Sequence, residues 1–144
     1  IATVTIPDIN WNGTETVTFI ATDPGLLSDS DPAVFTVNAI NDAPVLAPIG
    51  PQSVVEDSPL AFTVSATDIE GTIPLLTAED LPTGASFLDN GNGTGDFNWT
   101  PDFTQSGIYD VRFIADDGVL TDTELVTITV TEAGNQVPVL DRPL

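Results

Sequence analysis

The side chains of this chain that could do chemistry are carboxylates and amides, and one adjacent pair stands between two apolar runs. In the stretch Val37–Leu46, Asn41 and Asp42 follow one alternating run, and Pro44 turns the chain into the next. Oxygen-bearing side chains of this kind are the ligands that hard divalent cations such as Ca²⁺ take in proteins. The stretch therefore predicts cation binding at a junction between two structural modules.

The charge of the whole chain favours a cation as its partner. Its 144 residues include 22 Asp and Glu but only 2 basic residues, so the formal net charge is −20 and the pI is near 4.1. Nucleic acids and anionic membranes are bound through Lys and Arg, so we expect no nucleic-acid partner and no membrane insertion. The sequence contains no Cys, His or Met. Disulfides, metal sites with Cys or His ligands, thiol chemistry and Ser-His-Asp catalysis are thereby excluded.

An internal repeat indicates where the modules begin and end. The separation from Pro44 to Pro138 is 138 − 44 = 94 residues, and that from Asn41 to Asn135 is 135 − 41 = 94. Two further blocks align, the second after a one-residue gap: Phe-Ile-Ala at 19–21 and 113–115, and Thr-Val at 36–37 and 129–130. The period predicts four segments: 1–40 as the last half of one module, 41–44 as a linker, 45–134 as a complete module, and 135–144 as the next linker and the start of another module.

The segments between turns are predicted to be strands. Thr, Val, Ile and Phe alternate with polar residues, and clusters of Pro, Gly, Asn and Asp separate the runs. In the complete module we expect seven strands, near 46–56, 60–66, 73–78, 85–88, 95–99, 107–115 and 123–131. The alternation points these residues inward: Phe62, Val64, Ala66, Tyr109, Val111, Phe113, Ala115, Val126, Ile128 and Val130. Seven short strands in about 90 residues predict an all-β Greek-key sandwich.

The first 40 residues hold only three predicted strands, near 2–6, 15–21 and 33–39. Their apolar face, which includes Phe19 and Phe35, would be exposed if these strands stood alone. We therefore expect the missing strands to come from upstream sequence in a longer protein, or from another copy of the chain.

One end of the complete module gathers oxygen ligands. In a seven-stranded sandwich the loops after the second and sixth strands lie at the same end, next to the preceding linker. These loops, the linker and the loop before the sixth strand of the preceding module bring five carboxylates and one amide: Asp8, Asn41, Asp42, Asp68, Glu70 and Asp117. Each close carboxylate pair costs about 4 kcal/mol at an effective dielectric constant near 20, and a dication removes that repulsion. Five carboxylates suit about two Ca²⁺ ions.

Several short motifs in a fixed order resemble a known family. They are Asn-Asp-Ala-Pro at 41–44, Ala-Thr-Asp-Ile-Glu-Gly at 66–71, Ala-Thr-Asp-Pro-Gly at 21–25, and the block Leu81–Gly118 with Leu-Pro-Thr-Gly-Ala-Ser-Phe, Trp-Thr-Pro and a closing Ala-Asp-Asp-Gly. The chain resembles bacterial cadherin-like tandem repeats (dystroglycan-type and Putative Ig domains) of extracellular adhesins or fibres. The resemblance implies tandem Ig/cadherin-like Greek-key β-sandwich modules of about 94 residues, with Ca²⁺ at the junctions between them.

The resemblance also implies a second calcium site, at the opposite end of the complete module. Glu56 and Asp102 match the ligands that the family has at this end. Asp57 adjoins Glu56, and Asn135 lies in the next linker. Gln136 stands where Asp42 stands in the first linker, so the second junction carries less negative charge than the first.

The function expected from these observations is structural. The chain is predicted to be a calcium-stiffened repeat of a long extracellular tandem-repeat protein, an adhesin stalk or a fibre, secreted to a bacterial cell surface. Its partners would be neighbouring modules of the same chain, or copies of it, in a linear array. Without the ion, a short linker between two acidic ends should flex and self-repel.

Two other functions are open to a sandwich of this kind. A carbohydrate-binding or cell-binding module, with a cell-surface or polysaccharide ligand, would need an exposed aromatic platform, but most of the ten aromatic residues fall on inward positions. A glycosidase would need two carboxylates facing each other across a cleft. Acids at the ends of a small sandwich offer no such cleft, so the chain is predicted not to be an enzyme.

Overall fold

The computed structural model describes residue 8 and residues 10–134, where all of the regular secondary structure is β-strand. The chain divides into two compact units, Ile1–Asn41 and Asp42–Leu144. The strand predicted at 2–6, the ligand Asn135 and the start of a further module lie outside the described residues.

The described residues of the first unit form an antiparallel hairpin. Its strands are β1 (Gly13–Thr22) and β2 (Ser28–Val37), paired from Gly13 opposite Val37 to Thr22 opposite Ser28. The second strand begins five residues before the predicted start at 33, because the register carries the polar stretch 28–32 alongside β1. Pro32 is tolerated there because, in the part of the chain that the structure describes, β2 pairs with β1 alone and so lies at a sheet edge.

The second unit is a sandwich of two four-stranded sheets. Its strands are β3 (Val45–Leu46), β4 (Gln52–Val55), β5 (Leu60–Thr67), β6 (Leu75–Glu79), β7 (Ser86–Asp89), β8 (Thr94–Trp99), β9 (Gly107–Asp116) and β10 (Thr121–Thr131). One sheet has the order β4-β10-β9-β6 and the other has the order β3-β5-β8-β7. Neighbouring strands are antiparallel except β4 and β10, which run parallel.

The single strand predicted over 46–56 is wrong, because this segment forms two strands in different sheets. β3 pairs with β5, and β4 pairs with β10. Between them Pro48 and Pro51 have no N–H to donate to a strand ladder, and Gly50 adopts a positive φ of 68°. The chain therefore crosses from one sheet to the other at this point.

The inner faces of the two sheets form the core that the alternation predicts. Phe97, Phe113 and Ile128 are fully buried. The other predicted inward residues are buried or, for Phe62 and Tyr109, pack partly buried against the core. Trp99 is only 2% exposed, and its Nε1 donates a hydrogen bond to the Thr83 carbonyl at 3.2 Å. Trp99 is therefore a core residue and offers no surface for a sugar ring.

Candidate functional site

Asp68 is held in place by a turn at the end of β5. Its Oδ1 accepts a hydrogen bond from the Glu70 N–H at 2.9 Å, and its carbonyl accepts one from the Gly71 N–H at 3.2 Å. Gly71 has a φ of 83°, a conformation that favours glycine. The turn leaves Asp68 partly exposed, with its Oδ2 buried and without a hydrogen-bond partner.

The linker residue Asp42 lies next to this turn. Glu70 Oε2 accepts a long hydrogen bond from the Asp42 N–H at 3.4 Å. Pro44 is fully buried, and the Leu46 N–H donates to Asp122 Oδ2 at 2.8 Å. The structure therefore brings Asp42, Glu70 and Asp68 to one end of the second unit.

Asp117 serves the turn between β9 and β10. Its Oδ1 accepts hydrogen bonds from the Val119 N–H at 2.7 Å and the Leu120 N–H at 2.8 Å. In the first unit Asp23 does the same, since its Oδ1 accepts from the Gly25 N–H at 2.8 Å and the Leu27 N–H at 2.9 Å. The repeated Ala-x-Asp pattern thus has a turn-forming role at both positions.

The remaining predicted ligands of this junction, Asp8 and Asn41, belong to the first unit. Both are exposed. Asp8 Oδ1 accepts a hydrogen bond from the Asn10 N–H at 3.0 Å, and the Asp8 carbonyl accepts one from the Trp11 N–H at 3.2 Å. Their role as ligands stays a prediction.

Glu56 lies at the other end of the second unit, where β10 ends. Its side chain is buried, with the residue only 3% exposed. Its N–H donates to the Thr131 carbonyl at 3.0 Å, and its Oε2 accepts from the Ala133 N–H at 3.2 Å. The second oxygen, Oε1, is buried and has no hydrogen-bond partner. Glu56 therefore holds the chain that leaves the module while keeping one carboxylate oxygen unsatisfied.

Asp57 and Asp102 flank the same end but are exposed. Asp57 has a φ of 59°, a conformation that Asp tolerates, and its N–H donates to the Pro101 carbonyl at 2.7 Å. Asp102 Oδ1 accepts from the Thr104 hydroxyl at 2.6 Å and from the Thr104 N–H at 2.8 Å. These two hydrogen bonds favour the ionised form and lower the pKa of the Asp102 carboxyl below its usual value of 3.8.

Within residues 8 and 10–134, no group of three or more His, Cys, Asp or Glu side chains is arranged to hold a metal ion. The same residues contain two buried side-chain oxygens without a hydrogen-bond partner, Glu56 Oε1 and Asp68 Oδ2. Buried polar atoms are rarely left unsatisfied, and a cation can supply the missing partner. Both atoms are carboxylate oxygens, the type of donor that Ca²⁺ takes in proteins.

Two further carboxylates, which the sequence did not predict as functional, accept backbone N–H groups of the segment that begins the sandwich. Asp122 accepts the Leu46 N–H, and Glu124 Oε1 accepts the Ile49 N–H at 2.8 Å and the Gly50 N–H at 3.4 Å. Both acids lie on the same side of β10 as the buried Val126. Acidic residues in phase with an apolar stripe are the signal that could have revealed them.

Two four-stranded sheets joined by a first segment that switches sheets define an immunoglobulin-like sandwich. The Putative Ig domain family matches residues 43–131, more than half of the chain, so the chain belongs to that family. No curated protein matches the sequence significantly. No helix in the described residues is long and apolar enough to span a bilayer.

Solved structures with a similar fold include glycoside hydrolases and titin domains. An endo-fucoidan hydrolase of glycoside hydrolase family 107 is 20% identical with a TM-score of 0.56, over 85% of this chain and 19% of the hydrolase. A second hydrolase of that family is 17% identical with a TM-score of 0.51, over 86% of this chain and 23% of the hydrolase. Titin domain M7 is 16% identical with a TM-score of 0.50, over 65% of this chain and 99% of the titin domain. At these identities the likeness is one of fold.

Proposed function

We propose that this chain is a non-catalytic structural part of a long extracellular tandem-repeat protein, an adhesin stalk or fibre, whose modules are stiffened at their ends by Ca²⁺. One observation carries the calcium part of the proposal. The two buried side-chain oxygens without hydrogen-bond partners in the described residues belong to Glu56 and Asp68. Both residues are expected as ligands from the sequence, one at each end of the module.

The charge around Glu56 supports a cation in particular. Burying a carboxylate without a charged partner costs several kcal/mol, because its hydration is lost. Arg112, the one basic residue in the described part of the chain, pairs with Glu79 at 3.2 Å. No basic side chain of the described residues therefore remains for Glu56, and a divalent cation would offset the cost.

The tandem arrangement is supported by the first hairpin, which repeats the last hairpin of the sandwich. Gly13 pairs with Val37 as Gly107 pairs with Val130, and the repeat offsets of 94 and 93 relate these two pairs. A hairpin with this register and an exposed apolar face is what the end of another Ig module provides. We favour upstream strands of a longer protein as the cover of that face, over strands from another copy.

Calcium titration of the 144-residue chain tests the proposal. We expect isothermal calorimetry to detect binding, and melting curves to shift upward with Ca²⁺, because a ligand that binds only the folded state stabilises it by about 2.7 kcal/mol at 100 times its Kd. Glu56→Gln and Asp68→Asn should each weaken binding at one end. Asp110→Asn, the control, changes charge equally at an exposed residue that accepts a hydrogen bond from Thr127.

The calcium proposal fails if the wild-type chain binds no calcium at millimolar concentrations, or if chelation leaves its melting curve unchanged. Weaker binding in all three variants alike would point to diffuse attraction by the acidic surface. Asp68→Ala should leave the sandwich folded, as circular dichroism can verify. Unfolding of that variant in the presence of calcium would make Asp68 a structural residue.

A second candidate is a module appended to a longer polysaccharide-degrading enzyme. It is favoured by the two fucoidan hydrolases, whose similarity covers 85% and 86% of this chain and therefore extends beyond residues 43–131. A net charge of −20 opposes direct contact with an anionic polysaccharide. In that role the chain would be a spacer, and affinity electrophoresis should show no retardation by anionic or neutral glycans. Retardation would instead support a carbohydrate-binding module.

A further inference from the structure

The tight turn between β7 and β8 contains two Asn-Gly pairs in succession, Asn90-Gly91 and Asn92-Gly93. The Asn90 N–H donates to the Thr94 carbonyl at 2.9 Å and closes the hairpin. Gly91 and Gly93 have φ values of 69° and 81°, in the left-handed region that glycine adopts without strain. The same dipeptide therefore occurs twice within four residues, in two different hydrogen-bond environments.

The two residues of an Asn-Gly pair can react with each other. The backbone nitrogen of Gly attacks Cγ of the Asn side chain, which the absence of a Cβ on Gly makes accessible. A bond from that nitrogen to Cγ forms, the bond from Cγ to Nδ2 breaks, and the amide leaves as ammonia with the proton of the Gly nitrogen. Water then opens the resulting succinimide to aspartate or isoaspartate.

The hydrogen bonds of Asn92 favour this reaction. Its Oδ1 accepts from the Thr94 hydroxyl at 2.7 Å and from the Thr94 N–H at 3.0 Å. Negative charge develops on this oxygen when Cγ is attacked, and positioned donors stabilise such a charge. Asn92 is exposed, as Asn90 is, so water reaches both side chains.

The hydrogen bonds of Asn90 oppose the same reaction. Its Nδ2, the nitrogen that would leave, donates to Thr94 Oγ1 at 3.0 Å and to Asp96 Oδ2 at 3.2 Å. The attacking nitrogen is also engaged, because the Gly91 N–H donates to Asp89 Oδ1 at 3.1 Å. The Gly93 N–H makes no hydrogen bond to a side chain of the described residues.

We propose that Asn92 is a site of spontaneous deamidation in the folded protein, through attack by the Gly93 nitrogen, and that Asn90 is protected. The reaction would place a new carboxylate in a turn between Asp89, the last residue of β7, and Asp96 of β8. An isoaspartate would also lengthen the backbone next to Gly93, whose carbonyl accepts the Ala66 N–H at 2.9 Å. The turn would then lose its register with the end of β5.

Ageing of the full chain at mildly alkaline pH tests the proposal, with peptide mapping by mass spectrometry as the readout. We expect Asn92 to convert several-fold faster than Asn90 in the folded chain. In denaturant the two sites should react at about the same rate, because both are Asn-Gly pairs. Equal rates in the folded chain, or faster conversion of Asn90, would overturn the proposal.

The variant Thr94→Val removes the Thr94 hydroxyl but keeps the Thr94 N–H, so it measures the contribution of the hydroxyl. Conversion of Asn92 should slow by roughly 2- to 10-fold, the factor that one neutral hydrogen bond contributes. Conversion of Asn90 should rise, because its Nδ2 loses an acceptor. Thr94→Ser should restore the wild-type rates, and Thr77→Val, at an exposed position on β6, should change neither. If Thr94→Val accelerates both sites, the turn only restrains motion and the assignment is wrong.

Discussion

The hairpins β1–β2 and β9–β10 have the same register in the repeat, yet the apolar side chains of one are exposed and those of the other lie in the core. Phe113 is 0% exposed in β9, whereas Phe19, its counterpart in the repeat, is 44% exposed in β1. β9 and β10 are flanked by β6 and β4 and covered by the second sheet, while β1 and β2 form a sheet of two strands among residues 10–134. Local sequence thus determines the strand pairing, and neighbouring strands determine burial.

The turns of the two hairpins make the same point for polar groups. Asp117 and Asp23 each accept backbone N–H groups across the turn. The Asp117 N–H donates to the Leu120 carbonyl at 3.2 Å, and the Asp23 N–H donates to the Leu27 carbonyl at 2.9 Å. The two bonds correspond although the turn that begins at Asp23 is one residue longer. A local hydrogen-bond pattern survives where the tertiary cover differs.

The largest expected difference between the hairpins is in apolar packing. Phe113→Ala should destabilise the sandwich by about 3–5 kcal/mol, because the cavity lies between two sheets. Phe19→Ala should cost less than about 1 kcal/mol, since its site is already open to water. Urea unfolding followed by Trp99 fluorescence, in a Trp11→Phe background, measures the effect of Phe113→Ala. Hydrogen exchange of β1 measures the effect of Phe19→Ala. Similar losses would mean that the first hairpin is covered in solution.

A smaller difference is expected for the carboxylates at the start of the second strands. Asp122→Ala should cost about 1–3 kcal/mol, because it leaves the N–H of buried Leu46 without an acceptor. Asp29, which the repeat aligns with Asp122, is exposed and accepts the Ser30 N–H. Asp29→Ala should therefore change stability by less than about 0.5 kcal/mol. A large effect at Asp29 would indicate that it too holds a neighbouring strand.

The smallest difference concerns Asp102 and Asp8, which the repeat aligns. Asp102 Oδ1 accepts both the hydroxyl and the N–H of Thr104, whereas Asp8 Oδ1 accepts the Asn10 N–H. The pKa of Asp102 is lowered in the folded state, so its stabilising contribution is present above pH 3.8 and is lost as pH falls through the folded pKa. In Thr104→Val the carboxyl should titrate closer to 3.8 by NMR. If the titration of Asp102 is unchanged in this variant, the Thr104 hydroxyl is not what lowers its pKa.

The sequence predicted the core because period-two alternation assigns a face to every strand residue, and Val64, Val111 and Ile128 are buried as expected. The prediction of one strand over 46–56 was wrong, because the apolar residues of this segment do not reveal that its prolines move the chain to another sheet. The candidate sites were harder still to predict from the sequence. Residue type alone does not separate Asp117, whose Oδ1 closes a turn, from Glu56, whose Oε1 is buried without a partner. That distinction depends on burial and on backbone donors far away in sequence.

The parallel pairing of β4 with β10 has a mechanical consequence. Gln52–Val55 lies beside Ile128–Thr131, and the two strands run in the same direction. Tension on the two ends of this unit would pull β4 backward and β10 forward along one line, so that their hydrogen bonds would resist together in shear. In the hairpin β1–β2 the ends at Gly13 and Val37 are opposite each other, and the same force would open one bond after another. Under load the sandwich should therefore yield at a much higher force than the hairpin.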